Sequence, residues 1–151
     1  MKTTHSSIIL IIVLFFVGCS QSIQPDETSI ERDILGVLNA QVRNWNEFNI
    51  DGFMQGYLNS DSLRFASGNT LYYGWQDTYD RYQKTYPDPK AMGKLTFSNI
   101  SITVLSHDAA VVFGRYTLER ENDQPTGLFT LLFRKIQEGW YIVHDHTSSA
   151  Q

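Results

Sequence analysis

Cysteine is almost missing from this chain: Cys19 is the only one among 151 residues. One thiol cannot close an internal disulfide or build a thiolate metal cluster, so the fold has to rest on its apolar core. Proline is scarce as well, with 4 residues, and nothing in the composition marks a disordered protein. Positive charge is deficient, with 12 Lys and Arg scattered among 16 Asp and Glu for a formal net charge of −4. A phosphate backbone needs a clustered basic face, so nucleic acid is not expected as a partner. Charge runs, internal repeats, C-x-x-C pairs, G-x-S-x-G elbows and phosphate-binding glycine loops are also lacking. What is present is 42% hydrophobic and 13% aromatic residues, enough for one domain with a single core.

The N-terminus has a different character. Lys2 precedes an apolar run, Ile8 to Val17 (I-I-L-I-I-V-L-F-F-V), of signal-peptide length and too short to span a bilayer as a helix. It ends at Phe16-Val17-Gly18-Cys19, which resembles a bacterial lipobox, with Phe16 where Leu is usual. The resemblance implies cleavage after residue 18 and acylation of Cys19; the other reading is an ordinary cleaved signal with a leftover thiol. Each buried acyl methylene contributes about 0.8 kcal/mol, so several chains on one residue would hold the protein at a membrane. The expected organisation is a signal peptide over 1–18, a lipidated cysteine and polar tether over 19–28, and one domain over 29–151. The expected location is the bacterial cell envelope, with Ser20 pointing to the outer membrane under the enterobacterial sorting rule.

Beyond the tether the pattern becomes periodic. Ser29 is a candidate N-cap, and Ile30, Ile34, Val37, Leu38, Gln41 and Trp45 predict an amphipathic helix over 29–46. A second short helix is expected over 51–57, capped by Asp51. Strands over 63–66 and 70–73 flank the turn residues Ser67-Gly68-Asn69. Trp75, Tyr79, Tyr82 and Tyr86 recur at helical spacing over 75–86, a stripe that reads as core. From Lys94 the period becomes two, and four strands follow over 94–105, 109–120, 128–135 and 139–148. In the first the apolar parity changes at Ser98-Asn99, which predicts a β-bulge and a bent strand. Helices first and antiparallel strands afterwards is an α+β order, a curved antiparallel sheet wrapped around three N-terminal helices as a cone. Both sheet faces are apolar, so a homodimer packed sheet to sheet is expected.

The order and residues together resemble the nuclear transport factor 2-like superfamily, in its SnoaL-like bacterial branch and in the association (hub) domain of calcium/calmodulin-dependent protein kinase. The resemblance rests on W-N, D-G-F-M-Q-G-Y and S-D-S-L-R-F between Trp45 and Phe65, Y-P-D at 86–88 and M-G-K-L-T-F at 92–97. It continues with G-R-Y at 114–116, F-T-L-L-F-R-K at 129–135 and G-W-Y-I-V-H-D-H-T-S at 139–148. It implies a cone-shaped cavity and leaves the function open. The superfamily includes ketosteroid isomerase, polyketide cyclases, scytalone dehydratase and limonene epoxide hydrolase beside members that only bind or oligomerise.

The last hairpin decides which polar groups a cavity would see. A three-residue loop, Gln137-Glu138-Gly139, pairs Ile136 with Trp140, Phe133 with Val143, Leu131 with Asp145 and Phe129 with Thr147. A loop of two or four residues shifts every side chain to the other face. The hub resemblance favours the first register, because it places cavity residues at positions matching Arg115, Leu131 and Thr147. Two of those cationic positions are here Leu and Thr, so hub-type carboxylate binding is not expected. The predicted pocket then holds Val111, Phe113, Phe129, Leu131, Phe133, Tyr141, Val143 and Thr147 under Trp45 and Tyr57, with Asp145 and Arg115 as its charged pair. Trp140, His144 and His146 fall on the outer, interface face.

Asp145 permits two readings from the residues alone: a general base whose pKa is raised by apolar surroundings, or half of a structural ion pair with Arg115. His144 and His146 share a face, but with no third ligand identifiable no metal is expected, and no cofactor. On the dimer face their protonation would weaken association. Two functions fit. One is a lipid-anchored envelope protein binding a small apolar or amphipathic molecule, with isomerase-, dehydratase- or cyclase-like acid–base catalysis by Asp145 and Arg115. The other is a non-enzymatic dimeric binding or scaffold module.

Overall fold

The amphipathic run near the N-terminus forms helix α1 (Glu27–Asn46), whose buried residues Ile30, Ile34, Leu38, Gln41 and Trp45 follow the helical repeat. It starts two residues ahead of expectation because Asp26, not Ser29, is its cap, accepting from the Ser29 backbone N–H at 3.3 Å. The computed structural model describes residues 26–149; the signal segment, Cys19 and the tether up to residue 25 lie outside the described residues. No helix among the described residues is long and apolar enough to cross a membrane.

The Trp45-Asn46 pair fastens α1 to the sheet. The indole N–H of Trp45 donates to the Met92 carbonyl at 3.3 Å. Asn46 accepts from the Leu95 N–H at 2.7 Å and donates to the Leu95 carbonyl at 3.1 Å, closing a two-bond clamp on the backbone. Helix α2 (Ile50–Met54) follows, capped by Asn49 rather than Asp51 through the Gly52 N–H at 2.9 Å. Strands β1 (Arg64–Ser67) and β2 (Thr70–Tyr73) form the expected hairpin and lead into α3 (Gly74–Thr85). A further short helix, α4 (Pro89–Met92), is capped by Asp88 with proline in its first turn.

Strands β3 (Lys94–Ser106), β4 (Ala109–Glu119), β5 (Thr126–Ile136) and β6 (Gly139–Thr147) complete a six-stranded sheet in the order β2-β1-β6-β5-β4-β3. Its neighbours are antiparallel except β1, which lies parallel to β6, so the sheet is mixed rather than wholly antiparallel. In β3 the register shifts between Ser98 and Ser101 with Asn99 at φ 53°, where the change of parity predicts a bulge. That bulge bends the strand and curves the sheet around α1 and α3. The result is the α+β cone.

Two face assignments need correction. On β4 the residues facing the helices are Ala110, Val112, Gly114, Tyr116 and Leu118, while Val111, Phe113 and Arg115 face outward. Both faces of β4 are apolar, so polarity does not orient it; size does. A Cβ on Gly114 would lie 2.4 Å from Phe129 Cζ and 2.7 Å from Ile100 Cδ1, so the concave wall has room there for no side chain at all. The second correction is in the last hairpin. Its turn has two residues, Gln137 (φ 54°) and Glu138, and Ile136 pairs with Gly139. One extra residue, Val143, then bulges from β6 between the Phe133–Ile142 and Leu132–His144 pairs. The two departures cancel beyond the bulge, where Leu131 pairs with Asp145 and Phe129 with Thr147. Before it they do not cancel: Trp140 and Ile142 point into the core, while Tyr141 and Val143 leave the cavity.

Candidate functional site

The chain between α2 and β1 brings the first polar group to the cavity. Leu58 N–H donates to the Ile142 carbonyl and Ile142 N–H to the Gly56 carbonyl, both at 2.9 Å, so residues 56–58 run beside β6. This places Tyr57 next to Asp145. The Tyr57 hydroxyl donates to Asp145 Oδ2 at 2.7 Å, and Thr147, two residues along β6, donates to Oδ1 at 2.6 Å. Since Tyr57 has one hydrogen and gives it to the carboxylate, the 3.2 Å contact between Tyr82 and Tyr57 is a hydrogen bond donated by Tyr82. A relay Tyr82–Tyr57–Asp145 therefore crosses the cavity from α3 to β6.

The cavity measures about 80 Å³ and is lined chiefly by rings, among them Trp45, Phe53, Tyr57, Phe65, Tyr82, Phe97 and Phe129. Its floor is deeply buried, while Arg81, Tyr86 and Tyr116 at its margin are half-buried. Asp145 is 3% exposed, and no arginine or lysine forms an ion pair with it among the described residues. Burial pushes its carboxyl up to about 6, against the opposing hydrogen bonds from Thr147 and Tyr57 and the more distant charges of Arg81 and His146. Burial, and then the neighbouring Asp145 charge, hold the Tyr57 and Tyr82 hydroxyls above their ordinary range, so both stay protonated donors. Such a carboxylate is ionised at neutral pH, and its conjugate acid is strong enough to return a proton.

Of the residues predicted for the pocket, Trp45, Tyr57, Phe129, Leu131, Asp145 and Thr147 line this cavity. Phe113 does not; it stands 44% exposed on the outer face. Tyr141 and Val143 are displaced by the two-residue turn, and Trp140, predicted at an interface, is 5% exposed in the core. Arg115 is not the partner of Asp145, because it lies across the sheet, where its Nη1 donates to Thr126 Oγ1 at 3.4 Å. His144 and His146 are exposed on the outer face beside Leu132 and Thr130. No metal-binding group of three acidic, histidine or cysteine side chains is found among the described residues.

The cation the sequence reading missed is Arg81 on α3. Its guanidinium lies over the rings of Phe65 and Tyr82, each 4.9 Å from the centroid, and over Tyr86 at 5.7 Å. A signal for it exists in the helical spacing. The buried face of α3 runs Gly74, Thr78, Tyr82, and Arg81 is three residues beyond Thr78 on that face.

Comparison with known proteins agrees with this architecture. The SnoaL-like domain model matches residues 34–151. A solved NTF-2-like protein of unknown function from Shewanella oneidensis is 42% identical, covers 79% of this chain and 98% of its own, and superposes with a TM-score of 0.76. A nuclear transport factor 2-like superfamily protein from Salmonella enterica, 21% identical, covers 83% of this chain and 94% of its own at a TM-score of 0.66. A cystatin-like-fold protein of unknown function from Nostoc punctiforme, 12% identical, covers 85% and 96% at 0.67, a likeness of fold alone. No curated protein matches the chain. With the family model spanning most of the chain and a close structural relative over nearly all of the cone, the chain belongs to the SnoaL-like family of the nuclear transport factor 2-like superfamily.

Proposed function

We propose that the cone binds a small ring-bearing amphipathic molecule and that Asp145 moves a proton on it, next to a carbonyl or hydroxyl group. The observation that carries this reading is a carboxyl group 3% exposed among aromatic rings, held by two hydroxyl donors and, among the described residues, by no ion pair. A purely structural acid in such a place would be costly and easily replaced by an apolar residue. An apolar pocket with a few convergent polar groups is the usual form of a small-molecule site. In the proposed step an Asp145 oxygen takes a proton from the carbon beside a carbonyl. Once protonated, Asp145 holds the Tyr57 hydrogen less strongly, which frees that hydroxyl to donate to the enolate oxygen.

The test is hydrogen exchange at the α-carbon of cyclic and aryl ketones in deuterated water, followed by proton NMR. The wild-type domain is expected to accelerate exchange of at least one ketone that it binds, and Asp145→Asn to lose about 10²-fold or more of that rate. Binding without exchange would leave a non-enzymatic binding module, and no binding of any ring-bearing probe would overturn the reading.

The envelope anchor and the dimer belong to the same proposal. Cys19 would tether the cone to a membrane through its acyl chains. The outer sheet face would pair with a second copy, since Leu71, Tyr73, Leu105, Phe113 and Leu128 stand there between 39% and 58% exposed. Light scattering after size exclusion should give a dimer mass at micromolar concentration; a strictly monomeric mass would remove this part, and ring-sized particles would favour a hub-like scaffold.

A further inference from the structure

Arg81 and Asp145 are the only charged side chains that line the cavity among the described residues, and they form no ion pair with each other. Each is provided for differently. Asp145 has Tyr57 and Thr147 as hydrogen-bond donors, whereas the Arg81 guanidinium donates no hydrogen bond within the described residues and packs against ring faces. The rings of Phe65, Tyr82 and Tyr86 pack around the guanidinium, and none of them takes up an N–H donor in a conventional hydrogen bond. A half-buried cation with its donors unused, on the wall of an aromatic cavity, is an anion receptor waiting for its acceptor.

We infer that Arg81 anchors the carboxylate of a ring-bearing monocarboxylic acid, whose ring lies among the aromatic side chains and whose far end meets Asp145. This rests on the proposed ligand-binding role of the cavity and names the class of molecule. A carboxylate fits the fork geometry of a guanidinium in two parallel hydrogen bonds. One negative charge is the right number, because Arg81 is the one cation that lines the cavity among the described residues and Asp145 is itself an anion at neutral pH; a dianion would face uncompensated repulsion. The ring is favoured by the lining, most of which is aromatic side chains that offer stacking and edge contacts. The cationic position differs from the strand position predicted from sequence, since Arg115 lies outside the cone and the charge comes from α3.

The probes are benzoate and cyclohexanecarboxylate against their neutral amides, titrated into the wild-type domain and into Arg81→Gln and Arg81→Lys, with binding followed by isothermal calorimetry. The wild type should bind the acids at least ~10-fold more tightly than the amides, a difference of about 1.4 kcal/mol. Arg81→Gln should remove that preference, and a far-ultraviolet circular dichroism spectrum matching wild type shows that the variant is folded. Arg81→Lys should recover only part of the preference, as a point charge lacks the fork. Acids and amides binding equally to the wild type, or a preference unchanged in Arg81→Gln, would overturn the role of Arg81 and leave the pocket reading standing. Failure of both acids and both amides to bind would count against the pocket reading itself.

Discussion

Asp145 and His146 are neighbours on β6, yet they meet opposite surroundings. One side chain is 3% exposed beneath a lattice of rings, and the other stands in solvent on the outer face of the sheet. The same contrast holds across the whole sheet. The inner face is a continuous core running from Leu95 to Ile142 and interrupted by one acid, while the outer face carries large apolar side chains half in water among Thr, Arg and His. Ionisable groups on the outer face stay in contact with solvent, and where one pairs, as Arg134 does with Asp108, both partners remain partly exposed. The acid on the inner face loses its hydration and, among the described residues, is hydrogen-bonded by two hydroxyls, with the charges of Arg81 and His146 farther off. This is what makes it chemically distinct, and it makes the cavity rather than the histidine pair the centre of the molecule.

Several substitutions would break or sharpen that contrast. The largest effect is expected from Trp45→Ala on the inner side, which removes a ring packed edge-on against Phe53, Tyr82 and Tyr86 and should cost about 3–5 kcal/mol in urea unfolding. Phe113→Ala, its outer counterpart, should cost under about 1 kcal/mol in a monomer and should weaken association if the dimer forms. Equal costs on the two faces would contradict the account.

Asp145→Asn comes next, and its sign is unusual. The folded state holds the Asp145 proton more tightly than the unfolded chain, so stability is full below pH 3.8, declines as pH rises to about 6, and stays lower above that. The penalty at pH 8 is about 3 kcal/mol at most. Asp145→Asn should therefore raise the unfolding free energy at pH 8 by about 1–3 kcal/mol and flatten the profile between pH 4 and 6, whatever it does to activity. A variant less stable than wild type at pH 8 would mean that the carboxylate is structurally compensated.

Tyr57→Phe should act in the opposite direction. It removes the donor that stabilises the charged form, so it should move the Asp145 titration above pH 6 and cost about 1.5 kcal/mol at pH 8, with less lost at pH 4. The smallest effect is expected from His144→Ala with His146→Ala, within about 0.5 kcal/mol in the monomer by thermal unfolding.

Much of this was legible in the residues, and the gaps have physical causes. The parity change at Ser98-Asn99 gave the bulge in β3, and the alternation after Lys94 gave four strands, because a half-buried strand must alternate. The Leu131–Asp145 pairing was one of two registers the residues allowed and was chosen on the hub resemblance, through a turn one residue too long and without the bulge at Val143, which alternation did not reveal. Where both faces of a strand are apolar, as on β4, alternation carries no direction. There Gly114 was the informative residue, since a glycine beside bulky neighbours marks where another ring needs room. Arg81 stayed hidden because a cation on an aromatic helix face reads as a solvated charge unless the rings that shield it are known to converge, and they converge from α3 and β1 only in three dimensions.

The most direct measurement is a carbon-13 NMR titration of the Asp145 side-chain carboxyl in the wild-type domain, assigned by its disappearance in Asp145→Asn. A midpoint near pH 6 is expected. A midpoint near 4, the ordinary range of a hydrated aspartate, would contradict it, because it would mean that water or a charge compensates the carboxylate as fully inside the cone as outside.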